Sequence, residues 1–183
     1  MVSVPTLVTL LRGFLVPFFI MAILYKNFKL ALFIFFVAAI SDALDGYLAR
    51  KLNQITTLGV ILDPLADKAL INSGFILLSY VDRIIPVWLT IFVISRDIIL
   101  LIGGWLLATF GKINRIKPTK IGKATAFSQF LTLLLTLVNT TYGFIPLEFI
   151  KILYIITAML TILSAVSYTA IGIRELSSEE ISN

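Results

Sequence analysis

The sequence predicts an all-α integral membrane protein, a bundle of six transmembrane helices. Three observations carry this. Of the 183 residues, 59% are hydrophobic and the mean hydropathy is +1.03, which leaves too few polar residues to clothe a water-soluble core of this length. The apolar residues gather into six segments, each able to supply the ~20 residues of a spanning helix. Backbone left unpaired in hydrocarbon is costly, so segments of this length are expected to be helical. Residues 1–183 are read as a single membrane domain with no separate soluble part.

The first segment, 5–25, is interrupted only by Arg12. No basic stretch precedes it, so the N-terminus is read as retained sequence and not as a cleaved signal. Lys26 and Asn27 break the chain before the second segment, 29–51, which ends on Arg50 and Lys51. Polar residues 53–57 precede the third, 58–80, and Asp82–Arg83 precede the fourth, 84–110. A basic run near 111–120 leads into the fifth, 120–141, and residues 139–143 lead into the sixth, 145–172. Pro146, Glu148 and Lys151 near the start of the sixth suit a membrane interface, and the polar tail from Glu175 is expected to fray.

Lysine and arginine set the orientation. Arg50 and Lys51 follow the second segment, and Lys112, Arg115, Lys117, Lys120 and Lys123 follow the fourth. With six crossings these loops share a side with both termini, and the excess of positive charge makes that side cytoplasmic. Lys26, Lys29 and Arg83 on the other side weaken the bias without reversing it. A multi-pass protein of the cell (plasma) membrane is expected.

Several chemistries are excluded by composition. There is no cysteine, hence no disulfide, thiolate metal site or cysteine nucleophile. There is no histidine either, which removes the commonest general base and the usual zinc ligand. Acid–base work must fall to Asp, Glu, Lys or Tyr.

Against this background, four of only ten acidic residues lie between Ser41 and Lys68, in SDALDGYLARKLNQITTLGVILDPLADK. Asp42, Asp45, Gly46, Ala49 and Arg50 are offset by 0, 3, 4, 7 and 8 positions, one face of a helix. Gly59, Asp63 and Asp67 are offset by 0, 4 and 8, again one face. The short connection makes the two helices expected antiparallel neighbours, with two carboxylate stripes at the same depth. Four carboxylates side by side in a low dielectric do not all stay ionised without cations. An all-oxygen donor set favours Mg²⁺, Mn²⁺ or Ca²⁺ over zinc, and a pair of such ions among four Asp suits phosphoryl transfer. Gly46, Ala49 and Gly59 leave room near the backbone, and Arg50 offers a fork suited to a diphosphate. A single intramembrane Asp, or one of these glycines, is explained by helix packing alone. The whole set in phase is not.

These eight positions fill DxxDGxxARx8GxxxDxxxD, and the stretch resembles the signature of the CDP-alcohol phosphatidyltransferase family. The likeness extends to ProThrLeuValThrLeuLeuArg at 5–12, SerArgAsp at 95–97, and Gly122, Lys123, Thr125 and Gln129. It implies a six-helix membrane enzyme, usually a homodimer, that moves the phosphatidyl group of CDP-diacylglycerol onto an alcohol and releases CMP. It further implies that Asp42, Asp45, Asp63 and Asp67 hold Mg²⁺ or Mn²⁺, two ions in all. Asp67 would take the proton of the attacking hydroxyl, and Gly46, Ala49, Arg50 and Gly59 would line the CDP site. A carboxylate base is also what remains when histidine is absent.

The acceptor is read from basic residues. Arg96, Lys117, Lys120 and Lys123 are expected to project toward the cytoplasmic mouth, where they suit an acceptor that carries phosphate. Topology and anionic headgroups explain such a loop as well. Within the family the likeness leads to members that use sn-glycerol 3-phosphate. The ArgAsp…GlyGly…LysProThr pattern also resembles members that use phosphatidylglycerol. A third reading, an ion or proton transporter, accounts for buried Asp with Arg. Against it, the chain has no internal repeat, and the aspartates cluster near helix ends.

Overall fold

The computed structural model describes residues 4–52, 57–109 and 119–177, with side chains over 12–41, 68–107, 109 and 119–174. The described residues form six α-helices: α1 Val4–Leu24, α2 Phe28–Leu52, α3 Thr57–Tyr80, α4 Val87–Thr109, α5 Lys120–Tyr142 and α6 Leu147–Ser177. Each matches one apolar segment. Two boundaries shift for local reasons. α4 begins at Val87, because residues 81–86 form a turn in which Asp82 and Arg83 take positive φ and Pro86 immediately precedes the helix. In that turn the Ser79 hydroxyl donates to the Ile85 carbonyl at 3.0 Å. α6 runs on to Ser177, past the expected end, with Glu148 in its first turn and Arg174 in its last, both favourable to the helix dipole.

Caps mark the other ends. Asn27 accepts the Leu30 amide at the start of α2. Thr119 accepts the Gly122 amide at 3.0 Å at the start of α5. Gly143, at φ 70°, closes α5 in the left-handed region that suits glycine.

Among the described residues, α4, α5 and α6 are each long and apolar enough to cross a membrane, over Val87–Leu107, Lys120–Tyr142 and Leu147–Arg174. Shorter apolar stretches occupy Arg12–Leu24 and Phe28–Ser41 in α1 and α2. Large apolar side chains such as Phe14, Phe33, Trp105, Phe127 and Val166 point outward, a surface that water does not suit and hydrocarbon does.

The chain divides into two compact units. The first comprises residues 1–86 with 133–145. In it α1 lies against both α2 and α3. Phe19 and Phe35 meet at 5.9 Å between ring centroids, and Ile23, Phe75, Leu78, Leu133 and Leu137 are buried with them. At Gly74 an added Cβ would fall 2.6 Å from Leu133, so α3 and α5 approach closely there. Lys26 in the α1–α2 turn binds both carboxylate oxygens of Asp82 in the α3–α4 turn, at 2.9 and 2.8 Å. Tyr25, Tyr80 and Tyr142, at the ends of α1, α3 and α5, are exposed, as membrane-interface tyrosines are.

The second unit comprises residues 87–132 with 146–183. There α4 lies against α6. Leu89, Val93, Ile150 and Tyr154 supply apolar core, but much of this interior is polar.

Candidate functional site

The residues of the aspartate motif are carried by two uninterrupted helices. Asp42, Asp45, Gly46, Ala49 and Arg50 lie in the second half of α2, and Gly59, Asp63 and Asp67 in the first half of α3. The helical offsets read from the sequence therefore hold along the backbone. The side chains of these eight residues lie outside the described residues, as does Lys117. The described packing of α2 and α3 runs through α1, which touches both. Among the described residues no group of three or more metal-ligating side chains occurs.

Arg96 is differently placed from its expectation. Instead of opening toward the mouth it is buried in α4. Its Nη1 donates to Asp97 Oδ1 at 2.8 Å, and its Nε and Nη2 donate to Ser164 Oγ on α6 at 3.3 and 3.2 Å. The ion pair is almost closed to solvent, with side-chain exposures of 7% and 6%. A buried guanidinium costs much unless neutralised and hydrogen-bonded, and both conditions are met inside the protein. Lys120 and Lys123 are exposed on the first turn of α5. The Tyr168 hydroxyl accepts the Thr119 amide at 3.1 Å just before that turn. Gly122 lets α5 approach Tyr168 closely there, because an added Cβ would stand 2.6 Å from Tyr168 Oη and push the ring aside.

Three features went unread in the sequence. The first is a buried polar seam between α5 and α6. The Thr157 hydroxyl bonds Ser128 at 2.6 Å and Thr132 at 2.7 Å, and Thr125 donates to the Leu160 carbonyl at 2.9 Å. Gln129 approaches Thr161 at 3.5 Å, which donates in turn to the Thr157 carbonyl at 2.7 Å. Hydroxyls across a membrane helix pair hold it where apolar contact with lipid is as good as contact with protein. Their signal was present: Thr125, Ser128, Gln129, Thr132 and Thr136 fall at offsets 0, 3, 4, 7 and 11, one face of α5. The second is Arg12, only 1% exposed. Arginine in mid-helix among apolar neighbours was the available sign. The third is an apolar cavity of about 420 Å³ between α4 and α6, lined by Gly103, Gly104, Leu107, Tyr168 and Gly172. Among the described residues its lining carries no charged group on which chemistry could rest.

Comparison with known proteins places this arrangement. The model of the family described as CDP-alcohol phosphatidyltransferase matches residues 2–167. The chain is 37% identical to a CDP-diacylglycerol–glycerol-3-phosphate 3-phosphatidyltransferase of Wigglesworthia glossinidia brevipalpis, covering 95% of this chain and 97% of that protein. It is 34% identical to the Escherichia coli (strain K12) protein of the same description, over 89% of this chain and 94% of the relative. It is 35% identical to the CMP-forming cardiolipin synthase of Rattus norvegicus, over 93% of this chain but only 61% of that longer protein.

Proposed function

Because the chain belongs to the CDP-alcohol phosphatidyltransferase family, we propose that it transfers the phosphatidyl group of CDP-diacylglycerol to the hydroxyl of sn-glycerol 3-phosphate and releases CMP, as a step of phospholipid biosynthesis. The observation that carries the reading is the complete DxxDGxxARx8GxxxDxxxD series on two continuous helices. The choice of acceptor is supported by the Wigglesworthia relative, which this chain matches over nearly its whole length.

The site is proposed to work as follows. Asp42, Asp45, Asp63 and Asp67 would hold two divalent ions, Mg²⁺ or Mn²⁺. The donor set fits them: all oxygen and anionic, in a chain without cysteine or histidine. When bound, such ions neutralise the diphosphate and favour its cleavage. Gly46, Ala49 and Gly59 leave space for the cytidine diphosphate, and Arg50 pairs with its phosphates. Asp67 accepts the proton from the acceptor hydroxyl. The freed oxygen attacks the phosphatidyl phosphorus, the bond to the CMP oxygen breaks opposite it, and CMP departs. Lys117, Lys120 and Lys123 draw the acceptor's phosphate to the cytoplasmic side, while Arg96, already paired with Asp97, serves to hold α4 against α6. The enzyme is read as one six-span domain of the plasma membrane, working as a homodimer.

A second acceptor, phosphatidylglycerol, is favoured by the ArgAsp…GlyGly…LysProThr pattern from Arg96 to Thr119 and by the likeness to the rat cardiolipin synthase. Purified protein with Mg²⁺ and CDP-diacylglycerol, given each acceptor in turn, separates the two. CMP formed with glycerol 3-phosphate alone supports the lead reading. CMP formed with phosphatidylglycerol alone replaces it. No CMP with either, in the presence of Mg²⁺ or Mn²⁺, overturns both acceptor assignments and leaves another alcohol as the acceptor.

A further inference from the structure

Arg12 is fully buried on α1, the helix that lies against both α2 and α3. Two contacts give its level. α1 and α2 are antiparallel, joined by residues 25–27, and Phe19 faces Phe35. Seven residues back from Phe19 is Arg12, and seven on from Phe35 is Asp42. α3 runs parallel to α1, and Lys26 pairs with Asp82. Fourteen residues back from that pair stand Arg12 and Lys68, the neighbour of Asp67. With a rise of about 1.5 Å per residue, Asp45 and Asp63 lie within roughly two turns of the same level. A buried guanidinium needs an anionic partner, and the motif holds four.

We propose that Arg12 is the internal counter-charge of the aspartate site, a positioning residue that keeps the metal-free carboxylates together and limits how tightly divalent ions bind. The inference rests on the reading of Asp42, Asp45, Asp63 and Asp67 as metal ligands. Four carboxylates alone repel one another, and one fixed cation among them relieves the empty site. The same cation repels incoming Mg²⁺. With two ions bound it leaves the site net positive, matched to a diphosphate. Arg12 therefore stabilises the empty protein and weakens metal affinity, two effects of opposite sign that a packing arginine does not produce.

The test is thermal unfolding of the full chain in detergent across a Mg²⁺ titration. Arg12→Gln lowers Tm without metal, yet its Mg²⁺ half-saturation falls roughly threefold to tenfold below wild type. Its metal-induced rise in Tm is correspondingly larger. Arg12→Lys, which keeps the charge, stays near wild type in both. An equal loss of Tm for Arg12→Gln at every Mg²⁺ concentration overturns the inference, as does Arg12→Lys behaving like Arg12→Gln. Should Arg12→Gln not fold, the double variant Arg12→Gln/Asp42→Asn decides. Folded double variant supports the proposal, since one carboxylate fewer needs the cation less, and an equally unfolded one defeats it. Asp63→Asn is the control: a Mg²⁺-dependent rise in wild type that disappears in this variant upholds the metal site whatever Arg12 does. A wild type that shows no rise removes the metal site and this inference with it.

Discussion

Replacing Ser164 by alanine tests the buried cation of the second unit. The hydroxyl accepts from Arg96 Nε at 3.3 Å and Nη2 at 3.2 Å, so its loss leaves two guanidinium donors facing a space sealed from water. A hydrogen bond from a charged donor contributes about 1.5–3 kcal/mol. Both bonds here are long and share one oxygen, and Asp97 still holds Nη1 at 2.8 Å, which places the loss at the low end, about 1.5–2 kcal/mol. For a chain of this size each kcal/mol moves Tm by roughly 2–4 °C, so a fall of about 3–8 °C is expected. Neutral hydroxyl bonds between membrane helices average only ~0.6 kcal/mol, so Ser128→Ala should move Tm much less. Both tryptophans, Trp88 and Trp105, sit on α4 on either side of Arg96, so intrinsic fluorescence in detergent reports the unfolding of this helix. The cycle is completed with Arg96→Met. In that background the Ser164→Ala loss should nearly vanish, because no cation remains to be stranded. An unchanged loss in the Arg96→Met background would refute the argument that the hydroxyl matters through the guanidinium.

Three further predictions concern catalysis and packing. Asp67→Asn should abolish CMP release while CDP-lipid binding, followed by equilibrium dialysis of labelled nucleotide lipid, stays within a few-fold; wild-type turnover would remove Asp67 from the mechanism. Lys123→Ala should raise KM for the acceptor more than KM for CDP-diacylglycerol, and equal rises would show that Lys123 binds no acceptor. Gly122→Ala should cost about 1–3 kcal/mol, read as a fall in Tm, because its Cβ displaces Tyr168 and the bond from the Thr119 amide. Adding Tyr168→Phe should recover part of that loss, and no recovery would locate the strain elsewhere.

The register of the six helices was open to the sequence because lipid imposes one solution on apolar stretches of this length. Lys26–Asn27, Asp82–Arg83 and Asn139–Gly143 then end them where polarity and turn-forming residues demand. The helical spacing of the aspartate motif was equally legible, since spacing along single helices is a local property. What touches what across helices is not local. Nothing in the order of residues said that Arg96 would turn inward to Ser164, sixty-eight positions away, or that Thr157 would link Ser128 to Thr132. In lipid, apolar faces are interchangeable, so partners are chosen by the few polar side chains that must find one another.

By itself, then, the sequence determined the apolar character of this protein, the number and approximate extent of its helices, and the carboxylates available for chemistry, because composition and periodicity act within one segment. The tertiary structure alone decided that Arg96 closes on Asp97 and Ser164, and that Arg12 is enclosed on the helix touching both α2 and α3. A buried charge takes its partner from whichever helix packing brings near.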